Sequence, residues 1–250
     1  MAIVAHPDDI EFSCAGTLAL WARAGTRISY VLCTSGDVGI ALPDMSRDLA
    51  IEIRESEQRA AADIVGATEV IFLREPDGML QPTLDLRRKL VREIRRFRPE
   101  VVICGDPTLV WVGENYINHP DHRASAQASL DAVFPASGQP NLFEELAQEG
   151  IIAFKPRKVF VSMRKDENGD NLLIDIDDTI DDKIRALHAH KSQFERFDPE
   201  KSVRERSQDL AKDGTMTYAE LFYVVTLETD EEWEAYHGEV FDRSVLDSSS

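Results

Sequence analysis

Residues 100–107, EVVICGDP, are apolar almost from end to end. A strand with one wet face alternates apolar and polar side chains. A near-continuous apolar run is what a parallel strand needs when helices cover both of its faces. The segments before it fit the same plan. IVA at 3–5 is a short apolar run, and GTLALWARAG at 16–25 reads as a helix ended by Gly25. RISYVLCTSG at 27–36 is a β-branched run stopped by a turn. A long helical pattern over 46–65 ends at Gly66, TEVIFL at 68–73 is a third strand, and a helix is predicted over 84–97. Strands alternating with helices predict an α/β fold with a parallel sheet wound on both faces.

Beyond residue 140 the alternation breaks. KVFVSM and NLLIDI read as strands, DDTIDDKIRALHAHKSQF as a helix, and TYAELFYVVTLE as a turn and a strand. We expect residues 1–140 to form the main unit. Residues 141–250 are expected to add a smaller α+β subregion packed on it, completing the cleft within one domain. The acidic tail is expected to fray.

A net charge of −18 argues against nucleic-acid binding, because a phosphate backbone would be repelled. The one basic stretch, RRKLVREIRRFR at 87–98, has apolar residues at helical spacing and reads as a solvated helix face. A subunit contact or an anion site is the alternative. No apolar run is long enough to span a bilayer, and the opening MAIVAHPDD lacks a basic leader. Three widely spaced cysteines, Cys14, Cys33 and Cys104, argue against a disulfide framework and for a cytoplasmic setting. Cys14 and Cys33 read as packing residues, with no base placed to activate either.

The chemistry gathers where strands end. In open α/β sheets the reactive groups lie at the carboxyl edge. His6, Asp8 and Asp9 follow the first predicted strand, Thr34, Ser35 and Asp37 the second, Asp77 the third and Asp106 the fourth. HPD occurs in AHPDDIEFSCAG at 5–16 and again in NHPDH at 118–122, so three of six histidines lie in these two stretches. In a turn entering a helix, His6 and Asp9 share one face and can reach one ion. His122 can complete a His–Asp–His set that leaves room for water, as catalytic zinc sites do. The neighbouring carboxylate, Asp8, could then serve as general base. Spacing alone does not settle which aspartate binds metal. His119 could stay protonated and stabilise an oxyanion or protonate a leaving amine, with Asp121 orienting its ring.

At these residues the chain resembles the LmbE-like (PIG-L) family of zinc-dependent de-N-acetylases. AHPDDIE matches the family's A-H-P-D-D-x-E motif, and HPDH matches its second motif. Lesser echoes are TSGDVG at 34–39, Arg54, PDG at 76–78, AHKSQ at 189–193 and YAELF at 218–222. The resemblance implies a Rossmann-like fold and Zn2+, or another divalent metal, held by His6, Asp9 and His122. It implies Asp8 as the base and His119 as the group that steadies the tetrahedral intermediate. Arg54, Asp77 and Asp37 would fall on the substrate side. The implied substrate is an N-acetylglucosamine-type amino sugar or its conjugate, and a homo-oligomer, trimer or hexamer, is implied as well. Where some members carry a mobile tyrosine this chain has Ile117, with Tyr116 one residue earlier.

Other readings compete. One is a metal-dependent amidase or esterase acting on a different bond. Another is a non-catalytic sugar-binding protein with a relic site. No G-x-G-x-x-G follows the first strand, which counts against a dinucleotide site. His188 and His190 read as structural, a cleft or interface role for His190 being the alternative. Trp111 is the aromatic best placed to stack on a sugar ring.

Overall fold

The computed structural model describes residues 1–40, 44–164, 171–194, 198–212 and 214–237; most of the acidic tail lies outside them. The chain begins β1 (Ala2–Val4), α1 (Asp9–Ser13), α2 (Ala15–Arg23), β2 (Ser29–Thr34), α3 (Arg47–Val65), β3 (Glu69–Glu75). It continues α4 (Leu84–Phe97), β4 (Val101–Cys104), β5 (Trp111–Val112), β6 (Tyr116–Ile117), α5 (Pro120–Asp131), α6 (Glu145–Gln148), β7 (Lys158–Ser162). It ends β8 (Leu172–Asp175), α7 (Ile180–His188), α8 (Lys191–Phe194), α9 (Glu200–Leu210), β9 (Ala219–Thr226), α10 (Asp230–His237).

Seven strands form one sheet in the order β3-β2-β1-β4-β7-β9-β8. The pairs from β3 through β7 are parallel, and β9 runs antiparallel to both β7 and β8. All residues of β2 and β4 are buried, as their apolar sequences require. Side-chain alternation sends Ile3, Val31 and Val102 to one face, against Leu86, Leu90 and Ile94 of α4. It sends Ala2, Tyr30, Leu32 and Ile103 to the other, against α1, α2, α3 and α7. Two cores thus sandwich the sheet, and the site sits on the edge between them.

The C-terminal part joins the first through the sheet itself. Lys158–Ser162 pairs in register with Val101–Cys104, so β7 extends the parallel run before β9 and β8 reverse it. The helix expected at 16–25 starts earlier, at Asp9, and breaks into α1 and α2 at Cys14. The small antiparallel pair β5–β6 and helix α9 were not expected from the sequence pattern. The basic helix α4 has the solvated face its sequence predicts. Arg92 pairs with Glu149, and Arg96 with Glu69 and Glu93. Arg95 departs from this, being buried and donating to five carbonyls, those of Ala136, Ser137, Gln139, Leu142 and Phe143. Among the described residues no helix is long and apolar enough to cross a membrane. All three cysteines are free and buried, and burial pushes the Cys14 and Cys104 thiols up to about 12, which leaves them protonated and inert.

One buried ion pair ties the two halves of the chain together. Glu220 of β9 accepts from the amides of Gly16 (3.0 Å) and Thr17 (2.8 Å) at the start of α2. The same carboxylate holds Lys183 Nζ of α7 at 2.5 Å. Glu220→Ala leaves a buried ammonium without its counter-charge, only the Phe12 carbonyl still accepting from it (3.2 Å), and two amides without their acceptor, and should lower unfolding stability by about 3–5 kcal/mol in urea melts. Replacing both partners, Lys183→Met with Glu220→Leu, should cost less than Glu220→Ala alone.

Candidate active site

A turn at the end of β1 supplies the first group of side chains. Pro7 stiffens it. Asp8 adopts φ 82°, a left-handed conformation uncommon outside glycine, at an intrinsic cost of about 1–3 kcal/mol. The turn is clamped from α3. Arg54 donates to Asp8 Oδ2 (3.2 Å) and to the Pro7 carbonyl (2.8 Å), and the Gln58 amide oxygen accepts the Asp8 N–H (3.0 Å). Arg54 and Gln58 are four apart and so project from one helix face. Gly36, at φ 67°, permits this: a Cβ there would meet the Arg54 guanidinium at 2.8 Å and Pro7 Cδ at 3.0 Å.

The second group comes from the start of α5. His119 caps the helix, its Nδ1 accepting the Asp121 N–H (3.2 Å), and Pro120 takes the first helical position. That bond places the neutral ring's proton on Nε2. His122 Nδ1 lies 2.9 Å from Asn118 Oδ1, and the Asn118 amide nitrogen is committed to the Leu109 carbonyl (2.8 Å). Asn118 must therefore accept from Nδ1–H, which leaves Nε2 as the nitrogen that faces Asp9 and that could bind a cation once its proton is displaced.

The two stretches meet at Asp9. Its Oδ1 is 3.1 Å from His122 Nε2, and its Oδ2 is 3.6 Å from His6 Nδ1. The His6 and His122 ring centroids are 5.1 Å apart. Behind His6, Nε2 faces Asp77 Oδ1 at 3.2 Å and Asp121 Oδ2 at 3.4 Å. One ring nitrogen from each of His6, His119 and His122 lies within 4.8 Å of the others, as do ligand atoms of His6, Asp77 and Asp121.

The electrostatics follow from crowding carboxylates in a partly dry cavity. Burial works against charge on His6, but the Asp121, Asp77 and Asp9 carboxylates outweigh it and raise its pKa to about 12. Burial would raise Asp9, yet His122 and His6 hold it well below the usual carboxylate range. His122 is raised because Asp9 overcomes its burial. Burial, together with the charge on His6, pushes His119 down. Asp8 is pushed up to about 6 by burial, with Arg54 opposing and Asp9 adding to the rise. A proton held on His6 here supplies the positive charge that a cation would bring. Nitrogen and oxygen donors in this number, with carboxylates behind one imidazole, fit a divalent ion of the zinc type.

The residues singled out in the sequence fall into two sets. His6, Asp8, Asp9, Arg54, Asp77, His119, Asp121 and His122 converge. Asp37 does not: it pairs with Arg47 (3.3 Å) and is absent from the cavity wall. Asp77 and Asp121 have tasks that the sequence did not reveal. Asp77 lines the cavity, accepting from the Val38 amide (2.7 Å) with one oxygen and facing His6 with the other. The Asp121 carboxylate, fully buried, accepts from the amides of Gly78 and Leu80 and stays 3.9 Å from His119 Nδ1. It is the Asp121 backbone N–H that orients His119. The low pKa of His119 and its acceptor role at Nδ1 favour a neutral ring over the protonated one expected. Asn118 and Gln58 were missed, although Asn118 stands inside the quoted NHPDH. The cavity has a volume of about 600 Å³, and Tyr116 lines it whereas Ile117 and Trp111 do not.

Fold and site together define a doubly covered α/β sheet with a histidine–aspartate centre at its carboxyl edge. Residues 1–133 match the PIG-L family, described as GlcNAc-PI de-N-acetylase, and the chain belongs to that family. It is 31% identical over 195 residues to the diacetylchitobiose deacetylase of Thermococcus kodakarensis, covering 78% of this chain and 69% of that protein. It is 26% identical over 202 residues to a probable N-acetyl-alpha-D-glucosaminyl L-malate deacetylase 2 of Bacillus anthracis, covering 78% and 80%. Among solved structures, the N,N'-diacetylchitobiose deacetylase of Pyrococcus horikoshii superposes with a TM-score of 0.79 at 25% identity, covering 88% of this chain and 81% of that one.

Because Arg54 opposes the rise of the Asp8 pKa, removing its charge has a defined sign. In protein stripped of metal by a chelator, the Asp8 carboxyl should titrate at about 6, and Arg54→Met should move that midpoint upward. Carbon-13 NMR of labelled aspartate checks it.

Proposed function

We propose that the protein is a metal-dependent N-deacetylase that removes the acetyl group from an N-acetylglucosamine-type amino sugar or its conjugate. His6, Asp9 and His122 would hold the cation, and their nitrogen and oxygen donors suit Zn2+. The observation that carries this reading is the Asp9 carboxylate, which spans the two imidazoles with Asp8 beside it. The family membership and the names of the relatives supply the substrate class.

When bound, the cation supplies Lewis acidity, polarising the acetamido carbonyl and acidifying a water. Asp8 Oδ2 is held by Arg54, so Oδ1 is the oxygen left to take the proton from that water. Burial lifts the Asp8 carboxyl above its ordinary value, the direction that suits a base that must later return its proton to a leaving amine. His119, neutral with its proton on Nε2, is a hydrogen-bond donor for the oxygen that gains charge in the transition state. Asp77 and Asp121 accept from His6 and fix its ring, as carboxylates do behind ligating imidazoles. The cavity is mixed in character, with Phe12, Leu109, Val112, Met163 and Tyr116 offering apolar wall beside these polar groups. Its volume is ample for a sugar and a substituent.

The test is metal analysis of the purified protein combined with acetate release from N-acetylglucosamine and diacetylchitobiose. Asp8→Asn should cut kcat by about 10²–10⁴-fold with metal still bound. His122→Ala and Asp9→Ala should lose metal as well as activity. Near-normal turnover by a metal-loaded Asp8→Asn protein would remove Asp8 from its role. His119→Ala should lower kcat without loss of metal.

A further inference from the structure

Two residues of the quoted motifs have no part in the chemistry above: Glu11 of AHPDDIE and His190 of AHKSQ. They lie 179 positions apart and meet in the interior. Glu11 and His190 are both fully buried, and His190 Nε2 stands 3.3 Å from Glu11 Oε2. Among the described residues neither His190 ring nitrogen makes a hydrogen bond, and the Glu11 carboxylate, at ion-pair distance from Nε2, is the polar group the ring faces. The other Glu11 oxygen accepts from Gln58 Nε2 at 3.0 Å. The remaining end of that amide, Gln58 Oε1, accepts the N–H of Asp8 at 3.0 Å.

The direction of this chain of contacts is fixed by its ends. Asp8 N–H can only donate, so it must meet the Gln58 oxygen, and the Gln58 N–H2 is turned to the Glu11 carboxyl. Reversing it would set an N–H2 against an N–H and an oxygen against a carboxylate. Gln58 is itself fully buried and has no solvent to turn toward. Asp8 needs such a restraint, because its left-handed φ is unfavourable for an aspartate. His190 is anchored in turn: the following Ser192 binds Glu57 through its amide and its hydroxyl, both at 2.7 Å, and so pins α8 to α3. A purely structural pair would lead nowhere in particular. This one leads on through Gln58 to the residue proposed as general base.

We infer that Glu11 and His190 are positioning residues for Asp8: the buried pair orients the Gln58 amide, which holds the Asp8 backbone and so aims its carboxylate into the cavity. This rests on the assignment of Asp8 as the base. Misplacing a reacting group by about 1 Å can cost about 10²-fold in rate. The positioning role therefore predicts a loss in kcat rather than in substrate binding or metal content.

The experiment compares His190→Leu, His190→Gln and Gln58→Met with the parent and with Asp8→Asn, all as full chains with metal content measured. His190→Leu and Gln58→Met should lower kcat about 10- to 100-fold, with KM within about twofold and bound metal unchanged. His190→Gln, which keeps an N–H near the Nε2 position, should recover most of the loss. A second measurement does not depend on turnover: the Asp8 amide proton, seen by NMR, should shift upfield in His190→Leu as its hydrogen bond to Gln58 weakens. If His190→Leu does not fold, His190→Asn, whose shorter amide does not reach the Nε2 position, takes its place and should shift the Asp8 amide and lower kcat in the same way. An unshifted Asp8 amide with kcat within twofold of the parent would overturn the proposal while Asp8→Asn stays inactive. Activity in Asp8→Asn would instead sink the assignment of the base.

Discussion

The site depends on one electrostatic constraint. Asp9, Asp77 and Asp121 press on a single imidazole, that of His6, in a cavity where water screens poorly. Carboxylates so close to one another cannot all stay ionised unless positive charge is placed among them. In the protein alone a proton on His6 meets the need, which is why its pKa climbs to about 12 despite burial. A divalent ion held by the proposed ligands would meet the same need with twice the charge.

That constraint explains a division of labour among aspartates that look equivalent in sequence. Asp8 and Asp9 are neighbours, yet Asp9 is held far below its ordinary pKa by two imidazoles, and Asp8 is lifted toward neutrality by burial. The left-handed turn at Asp8 separates them by pointing consecutive side chains to different partners. Helix α3 then stabilises what the turn makes strained, with Arg54 on the carboxylate and Gln58 on the amide. The sheet contributes the edge on which these loops converge, and α5 contributes two histidines one turn apart.

Much of this was legible in the sequence, and for identifiable reasons. Strand β4 declared itself because a run apolar on both faces has few other uses. The convergence of the two HPD stretches followed from placing both at strand or helix ends on one edge of the sheet. What was not legible is where long-range partners choose among similar side chains. Asp37 follows the right strand but lies beside Arg47, and local sequence carries no trace of that competition. Asp77 and Asp121 were assigned tasks by position, whereas backbone amides from residues 38, 78 and 80 decide where their carboxylates point. The extension of the sheet through β7, β9 and β8 was hidden for a related reason. Whether an added strand runs parallel, as β7 does, or antiparallel, as β9 does, leaves no distinct pattern of its own until its neighbour is known.

His119 shows how a backbone contact can overrule a reading made from residue type. A histidine near a metal centre suggests an imidazolium, because a charged donor is the stronger one. As the cap of α5, however, its Nδ1 must accept an N–H, and the charge already on His6 makes a second positive ring costly. Both effects select the neutral tautomer with its proton on Nε2. The ring then offers a donor without adding charge to a site that a cation would share. Placing the histidine at the cap rather than within the helix secures both properties at once, since only there is an unsatisfied backbone N–H available to fix the tautomer.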